Sequence, residues 1–154
     1  MALVATAAIA SACGGSGGTA SASPSPSPVS SPSPSPAPSG AALNFKLNGI
    51  NTTASGTITL IAQAHSFSVE LVITGLPANS SHVSHIHVGS CQQRGNISLA
   101  LTQVVADGQG HADIKTNIPA TYPPATGTWY VVVHAGPDMQ GSSATYLLCG
   151  NLFV

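Results

Sequence analysis

The stretch HVSHIHVGSC, residues 82–91, carries three of the six histidines and one of the three cysteines in the chain. Side chains along an extended strand alternate between its two faces, so a strand here would place His85 and His87 side by side on one face. Imidazole is a common ligand for copper and zinc. We therefore predict that His85 and His87 bind one metal ion together, while His82, three residues earlier, faces the other side.

The run WYVVVH, residues 129–134, is rich in β-branched valine and ends in a histidine, which favours a strand. We predict that His134 supplies a third imidazole to the same ion. The remaining histidines have other roles in this interpretation. His82 is expected to be structural, with its ring bonded to a backbone carbonyl. His65 and His111 lie in turn-like surroundings, where we expect them to be solvated.

Short apolar–polar runs separated by turn residues make up the chain from Ala42 onwards. Strict alternation, as in LNFKL at residues 43–47, is typical of a half-buried strand. The turn DGQG at residues 107–110 predicts a hairpin between the strand region 97–105 and a returning strand at 111–115. No window of the sequence shows helical periodicity with capping residues. We predict an all-β, antiparallel Greek-key sandwich or barrel of about eight strands.

Composition separates this domain from the segment before it. All seven charged residues, three basic and four acidic, follow residue 41, and residues 42–154 are a usual size for a single domain. Residues 14–41 are rich in Gly, Ser and Pro, with seven of the twelve prolines between Pro24 and Pro38, and they predict a disordered linker. The net charge of −1 provides no basic surface, so nucleic acid is not expected as a partner.

Residues 1–13 predict export. Residues 2–12 are small and apolar, as at the end of a signal sequence, and together with Cys13 and the glycines after it they resemble the bacterial lipoprotein pattern. A lipidated Cys13 would tether the protein to a membrane, at a cell surface or in the periplasm. An ordinary cleaved signal, which would give a secreted protein, and a short disordered apolar tail are the alternatives. Lipidation of Cys13 leaves an even pair of cysteines.

Several motifs of the domain occur in an order that resembles the Cu/Zn superoxide dismutase family over most of residues 50–152. They are the HxxHxH segment with Cys91, the segment ADGQGHAD at 106–113, the VVH strand end at 132–134, Asp138, and Cys149 followed by Gly150. The resemblance implies a superoxide dismutase-like fold. It also implies one copper ion with His85, His87 and His134 as its ligands.

Two further roles are implied by the same resemblance. The family's intrasheet disulfide corresponds to Cys91 and Cys149. Asp138, four residues after His134, corresponds to the aspartate that orients a copper-ligand histidine through a hydrogen bond. The protein is therefore expected to bind copper with the help of a carboxylate behind one ligand.

The chain departs from that family in two places. Only five residues separate Cys91 from Ile97, so the long loop that carries the family's zinc ligands is missing and no zinc site is expected. The family's arginine near its last cysteine, which attracts superoxide, is replaced by Tyr146, and Arg94 would substitute for it only if the short loop folds over the site. This trimmed pattern also resembles the CHRD, or chordin-type, domain, which has His-x-His and a later Val-His strand.

Two functions follow from these resemblances. The first is a surface-tethered, copper-dependent superoxide dismutase, with superoxide or another small anion as its partner. The second is a non-enzymatic CHRD-like extracellular module with a binding or structural role. Redox turnover, as opposed to stoichiometric copper binding, would separate the enzyme from the module.

Overall fold

The computed structural model of the protein describes residues 40–154. The predicted signal segment, Cys13 and nearly all of the predicted linker lie outside the described residues. The strands of the described part are β1 (Ala42–Gly49), β2 (Ser55–Ala62), β3 (Phe67–Thr74), β4 (Ser81–His82), β5 (Ser84–Gly89), β6 (Arg94–Ala100), β7 (Val104–Val105), β8 (Ala112–Ile118), β9 (Trp129–His134) and β10 (Tyr146–Asn151). A short 3-10 helix, Gly141–Ala144, lies between β9 and β10. Within residues 40–154, no helix has the length and apolar character needed to cross a membrane.

Eight of these strands form one antiparallel sheet in the order β6-β5-β9-β10-β1-β2-β3-β8. The sheet changes layer at β1, which pairs with β2 along most of its length and with β10 through its last residues, Asn48 and Gly49. One layer is β1-β2-β3-β8 and the other is β10-β9-β5-β6, and the chain crosses between them after β3, β6 and β8. The predicted all-β antiparallel Greek-key sandwich is confirmed.

The core lies between the two layers and is built from alternate residues of each strand. Its members that are at most 1% exposed include Leu47, Ile58, Leu60, Val69, Leu71 and Ile73 from the first layer, and Ile86, Val131, Val133 and Leu148 from the second. Phe67 and Trp129 close one end, with ring centroids 5.7 Å apart. Burial of this apolar surface is the main driving force for the fold.

The second layer carries buried side chains on both of its faces. We call the side packed into the core the inner face, formed by Ile86, Val131, Val133 and Leu148. The opposite side is the outer face, formed by His85, His87, Tyr130, Val132, His134, Tyr146 and Cys149. The register places His85 opposite Val132 and His87 opposite Tyr130, and Tyr130, Val132 and Cys149 form a small buried cluster of their own. The outer face is therefore a second packed region.

The predicted hairpin between residues 97–105 and 111–115 is wrong. β8 pairs along its length with β3, where Lys115 lies opposite Glu70, and β7 pairs instead with β4. A strand of two residues such as β7 cannot provide the ladder and the buried face that β8 obtains from β3. The turn itself does form, because the carboxylate of Asp107 accepts hydrogen bonds from the backbone amides of Gln109 and His111.

Candidate metal centre

His85 and His87 stand on the outer face of β5, as the alternation predicts. Ile86 between them is fully buried in the core. Because successive side chains of a strand point to opposite sides, burial of Ile86 directs both histidines outward. The apolar residue that anchors the strand therefore also sets the face on which the two histidines lie.

His134 and Tyr146 complete this part of the outer face. His134 is the last residue of β9 and lies two residues beyond Val132, so it shares the face of His85. Tyr146 lies opposite His134 at the start of β10, and a register shift between Tyr146 and Leu148 interrupts the regular pairing. This β-bulge leaves Tyr146 on the outer face while Leu148 packs into the core.

The three histidine rings converge on one point. The ring centroid of His85 lies 5.3 Å from that of His134 and 6.1 Å from that of His87, and the His87 and His134 centroids are 5.9 Å apart. One ligand nitrogen from each residue lies within 4.8 Å of the other two. In residues 40–154, these three are the one group of potential metal-binding side chains that come together in this way.

Three ring nitrogens of this cluster are buried and have no hydrogen-bond partner among the described residues: Nδ1 of His85, Nε2 of His87 and Nε2 of His134. An unpaired buried polar group costs about 1–3 kcal/mol. Such groups are rare in native proteins and call for an explanation. A ligand at the centre of the cluster would supply the missing partner for all three nitrogens.

The other nitrogens of two rings settle their tautomers. Nδ1 of His87 lies 3.0 Å from the carbonyl oxygen of Gly95, and Nδ1 of His134 lies 2.8 Å from the carbonyl oxygen of Ala144. Because a carbonyl oxygen can only accept, each Nδ1 carries the hydrogen and donates it. In the neutral ring that a metal ion requires, each Nε2 then presents its lone pair to the centre of the cluster.

Burial lowers the pKa of His85 and of His134. For His85, loss of solvation is the largest cause, followed by repulsion from His134 and then from His87. For His134, loss of solvation again dominates and repulsion from His87 adds to it, while the hydrogen bond to Ala144 acts in the opposite direction on the pKa. Both shifts favour the neutral imidazole, and a metal ion requires that form.

Polar contacts behind His87, which the sequence analysis did not identify, hold its ring in place. The hydroxyl of Tyr146 lies 3.3 Å from Nδ1 of His87 and 3.0 Å from the hydroxyl of Tyr130. The Tyr130 hydroxyl accepts a hydrogen bond from the amide of Gly95, the residue whose carbonyl accepts from His87. Tyr130 could have been found from the sequence, since it shares the alternation of His134 along β9.

Arg94, the first residue of β6, covers Tyr146. Its guanidinium carbon lies 4.4 Å from the centroid of the Tyr146 ring, a cation–π arrangement. The short connection from β5 thus brings Arg94 against the tyrosine that stands where the dismutase family has an arginine. Burial and the neighbouring Tyr130 raise the pKa of Tyr146, and Arg94 opposes that shift. Tyr146 is therefore a neutral phenol at physiological pH.

A disulfide joins Cys91 to Cys149, with the two Cα atoms 5.9 Å apart, and the predicted pairing is confirmed. Cys149 lies on the outer face of β10, and Cys91 lies in the connection between β5 and β6. The backbone amide of Cys91 also donates a hydrogen bond to the side chain of Asn151. The bridge therefore ties the segment that carries Arg94 and Gly95 to the strand that carries Tyr146.

The structure places Asp138 away from the role expected for it. Its carboxylate accepts a hydrogen bond from the backbone amide of Gln140 in an exposed turn. Nδ1 of His134, the group that Asp138 was expected to orient, donates to the carbonyl of Ala144 instead. A backbone carbonyl can also orient a ligand ring, and it leaves no signature in the sequence.

His82 is structural, as predicted. It is 3% exposed in β4, its Nδ1 donates to the carbonyl of His134, and its Nε2 contacts the hydroxyl of Ser80. His82 therefore supports the backbone of a cluster residue and does not offer a nitrogen to the cluster. His65 and His111 are exposed, as expected.

The donor set decides which metal ions fit the cluster. It consists of three imidazole nitrogens without a carboxylate oxygen, so calcium and magnesium, which require oxygen ligands, do not fit. Imidazole nitrogen suits copper and zinc. The three residues therefore fit a transition-metal ion, and the geometry of their free nitrogens agrees with one ion for the cluster.

A comparison with protein families assigns the domain. The model of the CHRD domain matches residues 37–141. The chain belongs to the CHRD family. The part of this CHRD domain that matches includes all three cluster histidines and Arg94, whereas β10, with Tyr146 and Cys149, follows the matched residues.

Solved structures share the fold of this CHRD domain. A SOD-like protein from Bacillus subtilis has 16% sequence identity and a TM-score of 0.59, and the match covers 73% of this chain and 100% of that chain. A double mutant of a SOD-like protein from Bacillus subtilis, in which a tyrosine and a proline become histidine, has 15% identity and a TM-score of 0.58, with 72% and 97% covered. No curated protein matches the sequence. The sequence thus assigns the chain to the CHRD family, and the solved structures show that its fold is SOD-like.

Proposed function

We propose that this CHRD domain binds one copper ion through Nδ1 of His85, Nε2 of His87 and Nε2 of His134. The convergence of three buried nitrogens without hydrogen-bond partners carries this proposal. Lone pairs that face one another repel, and a cation between them replaces that repulsion with three bonds. Binding would therefore remove the cost of three unsatisfied polar groups at once.

Copper is favoured over zinc by its affinity for nitrogen. For a given set of nitrogen ligands, divalent copper binds more tightly than divalent zinc. The number of ligands does not separate the two ions, since zinc also binds to three histidines with water as a fourth ligand. A bound copper ion would supply one-electron redox chemistry, which zinc cannot supply.

The bound copper could serve one of two roles. Superoxide dismutation is supported by the SOD-like fold and by the partial exposure of His85, which leaves one side of the cluster within reach of a small anion. A copper-holding role without turnover is supported by the burial of His87 and His134, which are 4% and 1% exposed. In either role the backbone carbonyls of Gly95 and Ala144 keep both rings in the metal-binding tautomer.

We also propose that the domain lies outside the cytoplasm. The disulfide between Cys91 and Cys149 supports export, since such bridges persist in oxidising compartments. We propose that a lipidated Cys13 and the Ser/Pro-rich linker tether the domain to a membrane surface. Palmitate labelling of the expressed protein, compared with a Cys13→Ser variant, tests the anchor. Label that persists in the variant would contradict it.

Metal analysis combined with a superoxide assay tests both the copper binding and the role of the bound copper. The full-length protein, loaded with copper and freed of excess ion, is expected to contain one copper per chain. Superoxide consumption that is catalytic and proportional to bound copper supports the enzyme, and consumption limited to one equivalent supports the copper-holding module. A protein that retains no copper contradicts both.

A further inference from the structure

Every group that faces the proposed ion is uncharged. A metal ion binds imidazole only in its neutral form, so the ligand rings bring no charge of their own, and the Nδ1–H groups of His87 and His134 are bonded to uncharged backbone carbonyls. The other polar contact of Nδ1 of His87 is the hydroxyl of Tyr146, at 3.3 Å. Neither ring has a carboxylate behind it, so the protein shares no negative charge with the ion through these hydrogen bonds.

The four carboxylates of the chain lie on other strands or have other partners. Glu70 lies opposite Lys115 on the ladder between β3 and β8, and Asp113 is also on β8. Asp107 accepts hydrogen bonds from amides in its own turn. Asp138 is bonded to a backbone amide in an exposed turn. Within the described part of the chain, the charge of an ion at the cluster is therefore not offset by a bonded carboxylate.

A cation stands next to the cluster instead. The guanidinium of Arg94 lies over the Tyr146 ring at 4.4 Å. That ring in turn packs against both His87 and His134, at centroid distances of 5.5 and 5.4 Å. A single side chain therefore separates the positive charge of Arg94 from two of the three proposed ligands.

These charges determine which oxidation state of copper the cluster prefers. Transfer of an ion from water into a buried site without a counter-charge is costly, and the cost rises steeply with the ionic charge. Repulsion by Arg94 is also twice as large for a divalent ion as for a monovalent ion. We infer that the cluster, with Arg94 stacked on Tyr146 beside it, holds copper preferentially as the cuprous ion Cu(I); this inference rests on the proposed copper site.

The ratio of the Cu(I) and Cu(II) affinities tests this inference without any assay of activity. Both affinities are measured on the full-length protein by competition, with a chromophoric cuprous chelator under reducing, anaerobic conditions and with glycine under air. Arg94→Gln is expected to raise the Cu(II) affinity relative to the Cu(I) affinity by about tenfold at low ionic strength. That change lowers the reduction potential of the bound copper by about 59 mV.

Salt provides a second measurement of the same effect. Arg94 is exposed to solvent, so added salt should screen its charge. The difference between the wild-type protein and Arg94→Gln is therefore expected to shrink as ionic strength rises. A difference that salt leaves unchanged would point to a change of packing and would overturn the electrostatic inference.

Two variants serve as matched controls. Arg94→Lys keeps the positive charge and can stack on the same ring, so it should retain the wild-type affinity ratio. Lys115→Gln removes one positive charge from an exposed position on β8 in the other layer, and it should also leave the ratio unchanged. Together they separate a local charge effect from a change in net charge.

Three further results would overturn the inference. The first is an affinity ratio in Arg94→Gln that equals the wild-type ratio. The second is a shift in Lys115→Gln as large as that in Arg94→Gln. In both cases one copper still binds, so the proposed copper site survives. A wild-type protein that binds neither ion is the third result, and it removes the proposed function together with this inference.

Discussion

The inner and outer faces of β5, β9 and β10 are made by the same backbone and differ in almost every other respect. Ile86, Val131, Val133 and Leu148 on the inner face are apolar and fully buried in the main core. The outer face alternates with them and carries three histidines, two tyrosines and a disulfide cysteine. The strands therefore serve as a boundary between a region that stabilises the fold and a region suited to bind a ligand.

This comparison explains how the cluster is held in place. Each outer-face histidine is next to an inner-face residue that cannot move without opening the core, as Ile86 is between His85 and His87. Loops then add hydrogen bonds from Gly95 and Ala144 that orient two of the rings. Changes to the inner face should affect stability, and changes to the outer-face histidines should affect metal binding.

The largest expected effect is an exception to this division, because an outer-face cysteine contributes to stability. The disulfide closes a loop between residues 58 positions apart, and the chain-entropy model assigns such a loop about 4 kcal/mol. The double variant Cys91→Ser, Cys149→Ser should lose stability of that order, measured by urea denaturation under oxidising conditions. An unchanged unfolding midpoint would show that the bridge does not constrain the unfolded chain.

A conservative change on the inner face should reduce stability less than loss of the disulfide does, and it should leave metal binding intact. Ile86→Val removes one buried methylene group, for which about 0.5–1.5 kcal/mol of stability is typical. Its copper affinity should equal that of the wild-type protein, since both histidines beside it stay in place. The matched outer-face variant His87→Gln should show the reverse pattern, and a shared loss of copper affinity would contradict the separation of the two faces.

A smaller effect is expected from pH. His85 and His134 have pKa values below the ordinary value of 6.5 in the folded protein. At pH values in the interval between the folded and the unfolded pKa, the unfolded chain therefore binds more protons than the folded protein. Stability of the metal-free protein should therefore be full above pH 6.5 and decrease as the pH falls through that interval. Denaturation measured across this pH range should show a smaller loss of stability in His85→Gln than in the wild-type protein. An equal loss would contradict the assignment of this pH dependence to His85.

The smallest effect is expected at Asp138. In this structure its carboxylate bonds to the amide of Gln140, so Asp138→Asn should leave the copper affinity unchanged. The role implied by the family resemblance instead requires a loss of about 10–100-fold. A competition titration of the variant decides between the two, and a loss of that size would show that Asp138 bonds to a ligand histidine in the copper-bound protein.

Much of the fold and the histidine cluster could be predicted because both depend on alternation. A single apolar residue, Ile86, makes His85 and His87 neighbours, and the valine-rich strand that ends in His134 follows the same rule. The pairing of β8 could not be predicted in this way, since pairing with β3 depends on which strand is free at the edge of a layer. Sequence proximity favoured the wrong partner.

The surroundings of the cluster could not be predicted for a different reason. The groups that orient His87 and His134 are the carbonyls of Gly95 and Ala144, and every residue type has a carbonyl. A register shift near Tyr146 sets its side chain on the outer face, and such shifts leave only a weak trace in the sequence. The contact of Arg94 with Tyr146 follows from that shift and from the short connection before β6.

Titration of the full-length protein and four single variants with copper tests the central claim most directly. We expect one copper per chain, loss of most of the copper affinity in His85→Ala and His134→Ala, and wild-type affinity in His65→Ala and His111→Ala. Two imidazoles hold copper much less firmly than three, whereas the last two histidines are exposed and stand apart from the cluster. Binding of two metal ions per chain, or copper binding that survives both His85→Ala and His134→Ala, would contradict the account.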